Sequence, residues 1–283
     1  MREYILTISC PDSVGIVSAV STFLAVSDCN IKDSAQYGDS ETGLFFMRVS
    51  FFAGENAPEL KTLRASFEAT AKRYGMAWAM VDAKTRSRVL ILVSRQGHCL
   101  NDLLYRYRIG ALHADIAGIV SNHETFSDLA AWCKIPFYHL PVTAESKTAQ
   151  EKKLLEIVEK EEIDLVVLAR YMQILSPELC EALAGKCINI HHSFLPSFKG
   201  ANPYRQAYSR GVKLIGATAH YVTSNLDEGP IIEQEVERVD HSSSPEELAA
   251  IGRDVENIVL ARAVRLHIER RVLLNGNKTV ILR

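Results

Sequence analysis

Residues 165–169 constrain the fold of this chain more than any other stretch, because all of their side chains are apolar. A strand with one face in water alternates apolar and polar residues, whereas a strand of a parallel sheet is covered on both faces. A second buried strand is predicted at residues 88–93, and helical patterns lie between the two. The sequence therefore predicts an α/β fold with a Rossmann-like open sheet in this part of the chain.

The first 82 residues carry a different pattern, in which predicted strands and helices follow the order βαββαβ. That order is the ferredoxin-like arrangement. A short polar segment, residues 82–87, separates it from the apolar strand that follows. We predict a first domain at residues 1–84 and a second at residues 85–283.

Polar residues enter an apolar run within residues 187–200, which read C-I-N-I-H-H-S-F-L-P-S-F-K-G. Asn189 and His191 alternate with apolar residues, so both should point to one face near the end of a strand. In an open α/β sheet, ligands bind at the carboxyl ends of the strands. An amide and an imidazole placed there can polarise a carbonyl and hold the negative charge that develops on its oxygen.

A second group of polar residues lies within residues 216–232, which read G-A-T-A-H-Y-V-T-S-N-L-D-E-G-P-I-I. Thr218 and His220 alternate on a predicted strand, and Asp227 follows in a loop. A carboxylate in such a loop can accept a proton from a nucleophile, directly or through water. Each group alone is more often structural, but Asn-x-His-x-x-x-x-Pro followed by His-x-x-x-x-x-x-Asp-x-Gly-Pro is far more specific.

This pair of motifs resembles the signature of enzymes that handle the formyl group of 10-formyltetrahydrofolate. The family includes glycinamide ribonucleotide transformylases, methionyl-tRNA formyltransferases and formyltetrahydrofolate deformylases. The resemblance implies a formyltransferase-like second domain in which Asn189, His191 and Asp227 are catalytic. It also implies that Thr218 and His220 belong to the substrate site, where they orient the Asp227 loop and its water.

Two further features distinguish the branches of this family. The transferases typically have His-Pro-Ser where this chain has His-His-Ser at residues 191–193, which resembles the deformylases. His98 and Cys99 stand in a loop where the ribonucleotide transformylases carry small and amide residues around a phosphate, and bulkier side chains make a phosphate cradle harder to build.

The resemblance therefore implies an enzyme that hydrolyses 10-formyltetrahydrofolate to formate and tetrahydrofolate. The formate would supply purine synthesis and the reaction would balance one-carbon folate pools. Formyl transfer to an amine is the alternative, because the same three residues serve both reactions. A catalytically silent folate or amino-acid sensor is a third hypothesis, which the retention of all three reactive residues disfavours.

The loop that follows the apolar strand is the predicted folate site. The resemblance implies that it holds the pterin ring, largely with backbone groups, and its residues are Arg170, Tyr171, Met172, Gln173, Ile174 and Leu175. A flat heterocycle needs apolar walls and a few hydrogen bonds at its edge, and three of these side chains can form such walls. A plain connection between a strand and a helix is the alternative.

The segment Cys10-Pro11-Asp12-x-x-Gly15, with Asn30-Ile31 downstream, is similar to ACT regulatory domains. The resemblance implies an effector site at an interface between domains, formed by Asp12, Gly15 and Asn30. A free amino acid is the expected effector and a homo-oligomer the expected assembly. Capping of a helix by Asp12 and Ser13 is an equally supported alternative.

Composition limits the partners and the location. The formal net charge of −2 argues against a nucleic-acid-binding surface, which is normally basic. The six cysteines are scattered without metal-ligand spacing, which is typical of reduced thiols in the cytoplasm. We expect no metal, and no cofactor apart from the folate substrate. No Gly-x-Gly-x-x-Gly motif indicates a dinucleotide, and no apolar run is long enough to cross a membrane.

Overall fold

The structure, a computed structural model, describes residues 2–195 and 203–283. The chain forms two compact units, of which unit 1 contains Met1–Thr85 with Glu269–Arg283 and unit 2 contains Arg86–Ile268. The boundary after residue 85 lies one residue from the predicted one. Residues 269–283, which we had placed in the second domain, fold with unit 1. The assignment of a regulatory and a catalytic domain stays a prediction.

Unit 1 contains an antiparallel sheet with the strand order β2-β3-β1-β4. This order confirms the ferredoxin-like arrangement, and the elements in chain order are β1 (Arg2–Pro11), α1 (Ile16–Val26), β2 (Cys29–Asp39), β3 (Leu44–Ala53), α2 (Leu60–Tyr74) and β4 (Ala77–Asp82).

The core of unit 1 lies between this sheet and its two helices. Strand β1 buries every second residue, as a strand with one covered face should. Helix α2 buries residues four apart, and its Phe67 meets the rings of Phe23 and Trp78 edge-on at 5.0 and 4.9 Å.

Unit 2 contains a seven-stranded sheet with the order β11-β10-β9-β8-β5-β6-β7. Its elements are β5 (Ser87–Val93), α3 (His98–Arg108), β6 (Ala114–Ser121), α4 (Ser127–Trp132), β7 (Phe137–His139), α5 (Lys147–Lys160), β8 (Leu165–Leu168), α6 (Pro177–Ala182), β9 (Cys187–His191), α7 (Pro203–Ser209), β10 (Leu214–Tyr221), β11 (Ile231–Arg238) and α8 (Pro245–Ile268).

The centre of this sheet is parallel, as the apolar runs predict. Strand β5 pairs in parallel with β6 and β8, and β8 pairs in parallel with β9. Strand β8 is buried at every position. The last two strands, β10 and β11, run antiparallel to their neighbours.

The strand order reverses beside β5. The chain passes from β5 outward to β6 and β7, and then returns to β8 on the other side of β5. The loops that leave β5 and β8 therefore diverge, and such a point is where open α/β sheets bind ligands. The Ser94 hydroxyl accepts a hydrogen bond from the Met172 amide at 2.9 Å, which joins the two loops.

The C-terminal residues form a hairpin of β12 (Val272–Asn275) and β13 (Lys278–Ile281). Within unit 1, Val280 and Leu282 bury Phe46 of the first sheet, and the Asn275 amide donates to Asp39 Oδ2 at 2.7 Å. In the described part of the chain, no helix combines the length and apolar character that a membrane span needs.

Candidate active site

The pairing of β9 with β10 brings four predicted residues together. His191 lies opposite Thr218, and Asn189 lies opposite His220. Because side chains alternate along a strand, residues two apart on each strand point to the same face. The pairing therefore brings Asn189, His191 and His220 into one site at the carboxyl end of β9.

Asp227 reaches this site because the loop between β10 and β11 folds back onto the end of β10. Its backbone adopts a left-handed conformation with φ of 57°. Gly229 packs so closely on the Tyr221 carbonyl that a Cβ atom there would overlap it. The carboxylate consequently lies between two imidazoles, 3.3 Å from His191 Nδ1 and 3.7 Å from His220 Nε2.

Hydrogen bonds fix the orientation of Asn189. The Tyr221 carbonyl lies 2.9 Å from His220 Nδ1, and a carbonyl can only accept, so Nδ1 carries a proton. The Asn189 amide nitrogen can only donate, and it donates to His220 Nε2 at 3.3 Å. The second N–H of Asn189 remains for a ligand in the cavity that this residue lines.

Only one of the two ring nitrogens of His191 has a partner among the described residues. Its Nδ1 faces Asp227, whereas its buried Nε2 has no hydrogen-bond partner among the described residues. A buried polar group without a partner costs about 1–3 kcal/mol, so such a group at a cavity is typical of a site completed by its ligand. With protons on both nitrogens, this ring can donate to an oxyanion while Asp227 neutralises its charge.

The Asp227 carboxyl is ionised throughout the working range of pH. Burial by itself raises the pKa of this group, but the hydrogen bond from His191 and the nearby His220 ring outweigh burial and hold the pKa well below its usual range. The site therefore presents a permanent negative charge beside His191.

All residues of the predicted folate loop line one cavity of about 740 Å³, which also contains Asn189, His191, His220 and Asp227. This size suits a small-molecule site. Met172 and Ile174 are 58% and 63% exposed and form an open apolar wall. Tyr171 is buried, and its hydroxyl accepts a hydrogen bond from Gln150, so it supports the loop from behind.

Thr218 does not contact the cavity, contrary to its expected place in the substrate site. It is fully buried. Its hydroxyl donates to the Ser193 carbonyl at 2.9 Å and accepts from the Leu195 amide and from Gln234 at 3.0 Å each. All of its hydrogen-bonding capacity is used, so Thr218 fixes the chain that follows β9.

The predicted effector residues do not form one site within a single chain. Pro11, which precedes Asp12, pairs with Leu44, whereas Asn30 pairs with Phe52 at the other end of β3. Eight residues of strand separate these positions, which corresponds to about 27 Å. The capping alternative is not supported either, because Gly15, with φ of 98°, is the N-cap of α1 and no side chain caps it.

Sequence analysis missed a buried polar cluster beside the site. Glu256 of α8 is 1% exposed and accepts hydrogen bonds from His98 at 2.7 Å and from the Tyr204 hydroxyl at 2.6 Å. Arg170 Nε lies 3.5 Å from the same carboxylate and donates to Gln96. A charged residue on the apolar face of α8 was the signal that could have revealed it.

This cluster includes a group with metal-ligating potential, because ligand atoms of His98, Cys99 and Glu256 lie within 4.8 Å of one another. The charges do not favour a metal ion there. Arg170 already neutralises Glu256, and burial, followed by the Glu256 charge, raises the pKa of the Cys99 thiol and so keeps it protonated.

Comparison with known proteins agrees with this geometry. A family model described as "Formyl transferase" matches residues 87–264. A formyltetrahydrofolate deformylase of Corynebacterium sp. (strain P-1) is 50% identical over 282 residues, which cover 99% of this chain and 98% of the relative. The Bacillus subtilis (strain 168) deformylase is 49% identical over 277 residues, 98% and 92% of the two chains. The chain belongs to the formyltetrahydrofolate deformylase family.

Solved structures separate this family from the transformylases. A formyltetrahydrofolate deformylase from Burkholderia mallei is 53% identical and matches all of both chains with a TM-score of 0.96. A glycinamide ribonucleotide transformylase from Symbiobacterium toebii is 32% identical, with a TM-score of 0.66, and covers 70% of this chain and 95% of its own. The likeness to deformylases thus spans both units.

His192, in the position where this chain resembles deformylases, stacks on the catalytic candidate. Its ring lies 5.1 Å from the His191 ring at 25° and 6.4 Å from the Tyr204 ring. Burial, and then the nearby charges of Arg170 and His191, lower the pKa of His192 from 6.5 to about 4. His192 is therefore neutral at neutral pH.

We predict that His192 makes stability depend on pH. Between pH 6.5 and about 4 the unfolded chain binds a proton at this residue that the folded protein does not, so stability falls as the pH falls. His192→Gln should remove up to about 3 kcal/mol of this loss, measured by urea unfolding across the window. The matched control is His241→Gln, at an exposed position. Equal pH slopes for the wild type and His192→Gln would contradict the prediction.

Proposed function

We propose that this protein hydrolyses 10-formyltetrahydrofolate to formate and tetrahydrofolate, supplying formate for purine synthesis and balancing one-carbon folate pools. The observation that carries the proposal is the placement of Asn189, His191 and Asp227 in one cavity with the residue 170–175 loop. The names of the full-length relatives support the same reaction.

In this mechanism, water attacks the formyl carbon and the carbonyl oxygen becomes an oxyanion. The free N–H of Asn189 and Nε2–H of His191 hold that oxyanion. The bond from carbon to the folate nitrogen then breaks, and the nitrogen takes up the proton that Asp227 accepted from the water. Formic acid leaves and loses its remaining proton to become formate. These steps need two donors and one carboxylate, all of which the cavity provides.

Asp227 accepts the proton of the water, directly or through a second water. A carboxylate with so low a pKa is a weak base towards free water. It becomes an adequate acceptor as the new carbon–oxygen bond forms, because the attacking water then becomes strongly acidic. The pairing with His191 keeps the carboxylate charged, and so able to accept a proton, at all working pH values.

The folate ring would lie against the loop of residues 170–175. Met172 and Ile174 offer apolar faces to a flat ring, and backbone groups of the loop offer hydrogen bonds to its edge. We propose no further cofactor, because the Asn189 and His191 donors supply the charge stabilisation that a Lewis acid would give.

We further propose a cytoplasmic location and no nucleic-acid partner. Every cysteine has a free thiol, which suits a reducing compartment. The formal net charge of −2 provides no excess of cations for phosphates.

We also propose that a free amino acid binds unit 1 and regulates the enzyme. Gly15 leaves open backbone N–H groups at the start of α1, which favour a carboxylate. Because Asp12 and Asn30 lie at opposite ends of the sheet, one site would need both ends from two copies of the chain. The proposal therefore includes a homo-oligomer.

Purified protein given 10-formyltetrahydrofolate alone should release formate and tetrahydrofolate in equal amounts. The reason is that water is the only nucleophile present. Enzymatic formate assay and absorbance of the folate measure the two products. If the formyl group leaves only after an amine is added, the protein is a transferase and the proposal fails.

Asp227→Asn should lower kcat by at least ~100-fold, because the amide has the same shape but cannot accept the proton. Binding of a non-hydrolysable folate, measured by calorimetry, should persist. Asp240→Asn, in an exposed turn, is the matched control. A variant that keeps more than about a tenth of wild-type kcat would remove Asp227 from the mechanism.

At least one of the twenty amino acids should bind the intact protein in calorimetry and change the rate of hydrolysis. Linkage requires that bound folate change the affinity of the effector by the same factor, about 5- to 150-fold. Asn30→Ala and Gly15→Ala should each abolish binding, with Asn56→Ala as control on the same unit. Absence of binding by every amino acid would make unit 1 purely structural.

A further inference from the structure

The active-site cavity is lined by two chemically different groups of residues. Met172 and Ile174 form an exposed apolar wall, which suits a flat ring. Gln96, Arg170, Tyr204 and Glu256 form a polar group that lines the same cavity.

The side chains of this polar group are paired with one another. We call His98, Arg170, Tyr204 and Glu256 the polar plug. Glu256 accepts hydrogen bonds from His98 and Tyr204 and lies beside the Arg170 guanidinium. Among the residues that the structure describes, Arg170 Nη1 is the one buried side-chain nitrogen of the plug without a partner. Burial by itself raises the pKa of Glu256, but the hydrogen bond from His98, the Arg170 charge and the Tyr204 hydroxyl lower it overall. The Glu256 and Arg170 charges thus offset each other within a nearly closed network.

The backbone holds this plug in place. Tyr204 rests on Gly252, one turn before Glu256 on α8, where any Cβ atom would overlap its ring. Arg170 adopts a left-handed conformation with φ of 63°, a strained state for a side chain of this kind. The glycine at position 252 thus makes space for the Tyr204 ring, and the left-handed backbone at residue 170 carries a long arginine side chain.

The plug continues up to the catalytic residues. His192 lies between them, with its ring stacked on His191 and tilted towards Tyr204. The plug and His192 therefore line the same cavity as the catalytic candidates His191 and Asp227.

We propose that the polar plug selects water as the nucleophile by excluding amines. The inference rests on the proposed hydrolysis. An amine could react by the same steps: its nitrogen attacks the formyl carbon, loses a proton to Asp227, and the folate nitrogen leaves with a proton. The plug prevents this because an amine carries a substituent, and that substituent needs the volume that the plug fills.

The wild-type protein gives the first test. A folate with an isotopically labelled formyl carbon is mixed with hydroxylamine, glycinamide or glycinamide ribonucleotide, and the label is counted in formate and in formylated amine. The fraction transferred should fall steeply as the amine grows. Equal transfer to small and large amines would overturn the proposal.

Opened variants give the second test. Arg170→Gly with Glu256→Gln removes the cation and its counter-charge together, and glycine suits the φ of residue 170. Tyr204→Ala removes a ring. Each should raise the ratio of glycinamide transfer to hydrolysis at least ~10-fold, because more than a methylene of space is opened.

Two controls keep the volume while changing the bonds. Tyr204→Phe loses only the hydroxyl that donates to Glu256, and Arg170→Lys keeps a long cation. Both should keep the wild-type ratio of transfer to hydrolysis. This ratio does not depend on overall activity, so a variant that is merely damaged does not change it.

The outcomes separate this inference from the proposed function. Wild-type hydrolysis with an unchanged ratio in both opened variants, each shown to be folded by thermal unfolding, would overturn the plug. A higher ratio in Tyr204→Phe as well would also overturn it, because the hydrogen bond and not the volume would then matter. No hydrolysis by the wild type would overturn the proposed function instead.

Discussion

The antiparallel register between β9 and β10 is the constraint on which the site depends. It places Asn189 opposite His220 and His191 opposite Thr218. Side chains alternate along strands, so a slip of one residue would turn one pair of polar side chains away from the other. The pairing of β10 with β11 shifts register between Ala219 and His220, and such irregularities redirect side chains beside active sites.

The site combines buried strands with residues whose backbone conformation or missing hydrogen bond costs free energy. Strands β5 and β8 are almost wholly buried and hold the loops that carry the chemistry. The loop after β8 and the loop between β10 and β11 each contain a left-handed non-glycine residue, Arg170 and Asp227 respectively. Arg170 Nη1 and His191 Nε2, beside Asp227, are buried and have no hydrogen-bond partner in the part of the chain that the structure describes. Costs of this kind persist only where the surrounding structure determines the geometry, and they cluster at functional sites.

Local pattern predicted the buried strands β5 and β8, the two folds and the face that carries Asn189 and His191, because periodicity reports directly on burial. Alternation did not reveal that Thr218 is buried away from the cavity. The pattern predicts which face of the sheet a side chain points to, but not whether that side chain reaches the cavity. Glu256 was missed because its partner His98 is 158 positions away, a contact set only by the tertiary fold. Similarly, spacing between Asp12 and Asn30 could not show that the sheet places them at opposite ends.

The C-terminal hairpin gives this protein an unusual order of assembly. Unit 1 is interrupted in sequence by the whole of unit 2, and Val280 and Leu282 cover Phe46 only after that insertion. A ribosome therefore releases the first sheet long before the residues that cover Phe46 exist. Until then an aromatic surface stays exposed on a partly finished unit, a state in which chains bind chaperones or one another.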